Sequence, residues 1–295
     1  MLFAEAQRLK LVLTAEFCLY NFFQLTLYED HLMLLEDLKN YLDEYLDVRS
    51  FSDPSLNGLQ VEGFKECTCI ATAATASLET IDAAVEEGAD TLIVHHGLFW
   101  KGQLLPVIGP FKDRLNALLE ANINLLAYHL PLDAHNVVGN NRYLCDLLSL
   151  SEVDYVEQGN PRSVAMQGIL SEPKTVKDIA TLLADSLHTR VDVLGDCDEN
   201  ILLSNIAVCS GSGAFLLDEN MKPSYHALVT GDVHEQTYHF AKESGTPVFV
   251  VGHHASEQGG IKRLGDHLAR KFDLEHRHLH FNIEKELKTY NGSSI

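Results

Sequence analysis

The chain alternates short, almost wholly apolar runs with segments of helical spacing, and few folds accommodate that alternation. Cys67-Thr-Cys-Ile-Ala-Thr72, Thr91-Leu-Ile-Val94 and Ile123 to Tyr128 read as strands. Leu78 to Glu87, stopped by Gly88, and Leu115 to Ala121 read as helices between them. A strand with no alternating polar face has no side to turn to solvent, so it belongs in a parallel sheet covered by helices on both faces. The expected class is α/β, a mostly parallel sheet flanked by helices. An amphipathic helix over Leu34 to Leu42 and a turn-rich loop, Ser52 to Gly58, precede it.

After about residue 152 the character changes. Val164 to Leu170, Val191 to Leu194 and Ile206 to Ser210 read as strands, and Thr175-Val-Lys-Asp178 carries a helix-start pattern. Leu228 to Gly231, a helix over about His234 to Glu243, the strand Pro247 to Gly252, a helix from about Ser256 to Phe272 and a strand from His278 to Ile283 return to the earlier style. Residues 153–225 are therefore expected to form a smaller α/β lobe inserted into a lobe made of 33–152 and 226–295, the alternative being two halves in series. Residues 1–32 are read as an N-terminal extension outside the core or as an extra packing helix. Leu11 to Tyr28 is rich in Leu and Phe, but Glu16, Asn21 and Gln24 make it too polar for a confident membrane span.

In open α/β sheets, ligands bind at the carboxyl ends of the strands. Here those ends carry imidazoles and carboxylates. His95 and His96 close one apolar run and are followed by Gly97. His253 closes another, with Glu257 four residues on, a spacing that stacks both on one helical face. A third run leads into His129-Leu-Pro-Leu-Asp133-Ala-His135, and Asp133, read in a Pro-containing loop, can bridge two cations. Nitrogen and oxygen donors without thiolate suit Zn, Fe, Mn or Co. Three His and two carboxylates are too few to saturate two cations, and open positions mark catalytic sites. The expected metal ligands are thus His95, His96, Asp133, His253 and Glu257, holding two divalent or trivalent metal ions per chain. His129 and His135 are the expected proton carriers. His254 is expected to point away, and Asp232 and His234 to border the cleft. Trp100 and Lys101 are expected to line it or to pack locally. Ser210-Gly-Ser-Gly213 is read as a tight turn rather than a phosphate cradle.

Composition narrows the partners. A formal net charge of −20 opposes a nucleic-acid binder and docking on an anionic membrane. Six scattered cysteines fit reduced, buried thiols and a cytoplasmic location.

Several motifs then coincide with a known family. Asn57-Gly-Leu-Gln-Val-Glu62, Val94-His-His-Gly-Leu-Phe-Trp100-Lys-Gly102, His129 to His135, Gly139-Asn-Asn141, Cys209-Ser-Gly-Ser-Gly213, Gly231-Asp-Val-His-Glu-Gln236 and Gly252-His-His-Ala-Ser-Glu257 strongly resemble the Nif3-like dinuclear metal centre proteins, also called GTP cyclohydrolase 1 type 2 homologues. The resemblance runs from about Met33 to the C-terminus in order. It implies the same five metal ligands, a homohexameric ring with the metal sites facing an internal cavity, and a small-molecule substrate, GTP being the family's suggestion. Two function classes follow: a metal-dependent hydrolase in which the metals activate water, or a non-enzymatic metal-storage, metal-delivery or regulatory scaffold.

Overall fold

The structure is a computed structural model, and it describes residues 32–103, 106–217, 224–281 and 283. Contacts divide the chain into two units, Met1–Met33 and Leu34–Ile295. The expected extension, apart from residue 32, lies outside the described residues.

In the second unit, helix α1 (Leu35–Tyr45) buries Leu35, Leu38 and Leu42 along one stripe. Strands β1 (Gly58–Val61), β2 (Cys69–Thr75), β3 (Thr91–His96) and β4 (Asn124–Ala127) follow, with helices α2 (Leu78–Glu86) and α3 (Gly109–Ala121) as crossovers. Ser77 caps α2 by accepting from the Thr80 amide. β2, β3 and β4 run parallel in register, whereas β1 pairs antiparallel to β4. Their residues are buried almost without interruption, as apolar runs without a polar face require.

Helix α4 (Leu130–Ala134) is a single turn with Pro131 in its first turn, where no amide partner exists for a proline to forgo. Asp133 therefore sits on a helix, not in the expected loop. Helix α5 (Asn140–Leu147) leads into a second, mixed sheet. It contains β5 (Leu150–Tyr155), β6 (Met166–Thr175), β7 (Asp192–Leu194), β8 (Leu202–Ser212), β9 (Ala227–Asp232) and β10 (Val248–Val250), in the order β5-β6-β8-β9-β10-β7. Helices α6 (Val176–Leu187) and α7 (Glu235–Ser244) connect its strands. Only β8, β9 and β10 run parallel to one another; β5, β6 and β7 are antiparallel to their neighbours. In the second sheet the parallel strands thus occupy the middle, with antiparallel strands toward both edges.

The chain then turns through α8 (His253–Ser256) into α9 (Gln258–Phe272). It ends in β11 (Glu275–His278), parallel to β2 at the edge of the first sheet. Two expectations change here. The last strand lies earlier than His278 to Ile283. Residues 226–252, expected in the first lobe, belong to the second sheet through the pairing of β8 with β9 and β9 with β10. Apolar strands buried on both faces look alike in either sheet, so only the pairing tells them apart. No described helix is long and apolar enough to cross a membrane. The five described cysteines are free thiols, and four of them are buried.

Candidate metal centre

The carboxyl ends of the parallel strands in both sheets meet in one cleft. β3 ends on His95 and His96. β4 leads through His129 into α4 and Asp133. β10 leads into His253 and, at the junction of α8 and α9, Glu257. All five expected ligands are brought together. His95 Nε2 lies 3.5 Å from Asp133 Oδ2 and 3.4 Å from Glu257 Oε1. His96 Nε2 lies 3.4 Å from Glu257 Oε2, and His253 Nε2 lies 3.3 Å from Glu257 Oε1. Ligand atoms of His95, Asp133 and Glu257 stand within 4.8 Å of one another, as do those of His96, His253 and Glu257. Glu257 is common to both groups, as a carboxylate serving two neighbouring cations would be.

The backbone makes room for this arrangement. Gly211 has φ +61°, and a Cβ on it would stand 2.5 Å from Glu257 Oε1. The Gly-rich turn after Cys209 spends its donors within the protein. The Ser210 amide donates to Asn141 Oδ1 at 2.7 Å and the Gly211 amide to Ser256 Oγ at 2.9 Å. The Gly213 amide donates to Thr230 Oγ1 at 2.8 Å. Ser210 Oγ and Asn140 Nδ2 both donate to Asp133 Oδ1, at 2.9 and 2.8 Å, leaving Oδ2 to face His95.

The test of fit for a cation is the state of the buried polar atoms. Burying a polar atom without a partner is costly. His95 is fully buried and Glu257 nearly so, yet His95 Nε2 and Glu257 Oε2 have no hydrogen-bond partner. The 3.3–3.5 Å approaches among these groups are ion-pair contacts, not well-formed hydrogen bonds. The electrostatics agree. Burial works against charge on His95, but Asp133 and Glu257 more than offset it and raise its pKa to about 9. The Glu257 carboxylate 3.3 Å from its Nε2 lifts His253, against burial and with help from Asp232, to about 9. Burial would push Glu257 upward, but His95, His253 and His96 hold it well below the usual carboxylate range. Positive charge is wanted where these nitrogens and oxygens converge, and nitrogen and oxygen donors of this set fit a divalent cation.

The remaining expectations separate. His129 joins the cleft: its ring lies 4.9 Å from that of His95 and 5.6 Å from that of His96. His135 turns away. Its ring packs 4.5 Å from Tyr45, and its Nδ1 accepts from the Val137 and Val138 amides. Asp232 borders the centre by accepting from His253 Nδ1 at 2.7 Å. His234 instead caps α7. Trp100 stands edge-on to His129 at 5.2 Å, at the mouth of the cleft. Lys101 Nζ is bound to the Asp53 carbonyl at 2.7 Å, so its charge is spent on the loop. His254 points away, donating to the Phe281 carbonyl at 2.8 Å. Four supporting residues went unseen in the sequence: Asp53, Thr75, Ser210 and Ser256. The turn residues around Asp53 and Ser210 were the only signal, and they speak equally for loops.

A family model described as Duf34/NIF3 (NGG1p interacting factor 3) matches residues 33–286. The chain belongs to this family. It is 43% identical over 242 residues to a Pseudomonas aeruginosa protein named GTP cyclohydrolase 1 type 2 homolog, covering 82% of this chain and 95% of that one. An Escherichia coli protein of the same name is 38% identical over 239 residues, covering 81% and 94%. Among solved structures, the protein ybgI, described as of unknown function, superposes with a TM-score of 0.79 at 36% identity, covering 85% of this chain and 99% of that one. A Thermus thermophilus protein superposes with a TM-score of 0.76 at 34% identity, with the same coverage.

Proposed function

We propose that this member of the Duf34/NIF3 family is a dinuclear metal-dependent hydrolase of the GTP cyclohydrolase 1 type 2 kind, acting in the cytoplasm as a homohexameric ring. The observation that carries the reading is the buried, unpartnered pair His95 Nε2 and Glu257 Oε2 within two overlapping donor groups. His95, Asp133 and Glu257 would hold one cation and His96, His253 and Glu257 the other; Zn, Fe, Mn and Co all suit such donors. Bound there, a cation supplies Lewis acidity and lowers the pKa of water.

The protein's own side chains do the rest. Asp133 is held by Asn140 and Ser210, and Glu257 is pinned between imidazoles from both sheets. Asp133 and Glu257 together carry two negative charges, which would offset part of the charge of two divalent cations. The His96 and His253 side chains remain 19% and 44% exposed, so substrate reaches the centre from their side, past Trp100. Of the two expected proton carriers, His129 is the one whose ring faces the cleft. A purine nucleotide such as GTP, opened by hydrolysis of its five-membered ring, is the substrate suggested by the names of the relatives.

The test is metal content and GTP turnover on one preparation, wild type beside Asp133→Ala. About two metals per chain, with turnover lost in the variant, are expected for a dinuclear hydrolase. Metal without turnover of GTP or of a phosphoester panel supports the storage, delivery or regulatory scaffold. A wild type that takes up no metal after supplementation overturns both.

A further inference from the structure

The four cleft histidines share a feature. Each Nδ1 is engaged: His95 with the Tyr128 carbonyl at 3.0 Å and His96 with Thr75 Oγ1 at 3.1 Å. His129 engages Asp53 Oδ1 at 2.9 Å and His253 engages Asp232 Oδ2 at 2.7 Å. A neutral imidazole whose Nδ1–H donates has its lone pair on Nε2. In His95, His96 and His253 that is the atom that meets the carboxylates. His129 is prepared in the same way, and ligand nitrogens of His95, His96 and His129 lie within 4.8 Å of one another.

The preparation is thorough. Asp53 is only 3% exposed, and besides His129 it accepts from the Ser55 amide at 2.8 Å, Asn57 Nδ2 at 2.9 Å and the Leu130 amide at 2.8 Å. Asn57 Oδ1 takes the His129 backbone amide at 2.7 Å. Ring and backbone of one histidine are thus clamped from a single loop, as is usual for the outer partners of metal-binding histidines.

We propose that His129 is a sixth protein ligand of the metal centre and that Asp53 is its positioning residue. The proposal rests on the metal-centre reading above. His95 and His96 each have one free lone pair, so the His95–His96–His129 group does not form an independent third site. His129 instead completes the shell of a cation that His95 or His96 already holds.

Zinc affinities measured by chelator competition on wild type, His129→Ala and Asp53→Asn test this, with folding checked by circular dichroism. One of the two cations is expected to bind about 10- to 100-fold more weakly in His129→Ala, and in the same direction but less in Asp53→Asn. A second measurement needs no variant: in cadmium-loaded protein with nitrogen-labelled histidine, scalar coupling to cadmium is expected at Nε2 of His129 as well as of His95, His96 and His253. Coupling confined to the latter three, with unchanged affinities in His129→Ala, overturns the assignment and leaves the five-ligand centre intact. A wild type that binds neither zinc nor cadmium overturns the metal reading itself.

Discussion

His95 and His253 must give up their protons to bind a metal, and both hold them unusually firmly. Their pKa values lie near 9, above the ordinary 6.5, because Asp133 and Glu257 flank the first and Glu257 and Asp232 the second. The sign follows directly. A metal competes with these protons, so affinity is expected to rise with pH from about 6.5 to about 9 and then level off. Titration calorimetry in buffers of different ionisation enthalpy would also show proton release; an affinity flat across that window would refute the argument. Global stability is a poorer readout. Metal-free, the raised pair contributes stability below about 6.5 that is lost as pH rises through about 9, whereas His96, depressed to about 3 by burial and by His95, acts in the opposite sense. Asp232 offers a separate check. Its carboxylate orients His253, so Asp232→Asn is expected to weaken metal binding about 10-fold while leaving the fold intact. At this scale the sequence was informative about ligands and poor about their supports. His95, His96 and His253 stand out because they end apolar runs, and Glu257 because it follows His253 at helical spacing. Asp53 and Ser210 do not, because a buried acceptor and a turn residue are spelled alike.

Among elements, the crossing of α9 over α5 decides whether Asp133 is held correctly. A Cβ on Gly260 would stand 2.3 Å from Asn140 Oδ1 and 2.6 Å from its backbone nitrogen. The Gly260 amide donates to that same Oδ1 at 3.0 Å, and Asn140 Nδ2 holds Asp133. Gly260→Ala is therefore expected to cost about 1–3 kcal/mol of stability by overpacking. It should also lower metal occupancy, because Asn140 must shift. A denaturant midpoint and metal content measured together check this; loss of stability with full metal occupancy would uncouple the crossing from the site. Most elements were legible. The apolar run Thr91–Val94 lies inside β3, the run Ile123 to Tyr128 contains β4, and Thr175 of the helix-start pattern caps α6 by accepting from the Asp178 amide. α4 was not, since Leu130–Ala134 is too short for periodicity to show and its Pro reads as a loop.

At the scale of the whole molecule, the candidate centre joins two sheets, so cations held there would tie the entire fold together. At metal concentrations 100-fold above Kd, binding contributes about 2.7 kcal/mol. Chelation is thus expected to lower Tm by several degrees, reversed on adding metal back; an unchanged Tm would mean that the ligands hold together without it. The proposed ring predicts a hexamer by native mass spectrometry, and a monomer or dimer across the working concentration range would remove it.

The sequence alone determined that this chain is an α/β protein with imidazoles and carboxylates at the ends of buried parallel strands. Those properties are local: apolar periodicity selects the strand, and the residue after it sits at the strand's end. Tertiary structure decided which strands share a sheet, so that 226–252 joined the second sheet rather than the first. It also decided that His129 faces the cleft while His135 faces Tyr45. Neither follows from spacing, because pairing partners and side-chain direction past a strand end depend on contacts between residues far apart in the chain. Asp53 and His129 are one such pair.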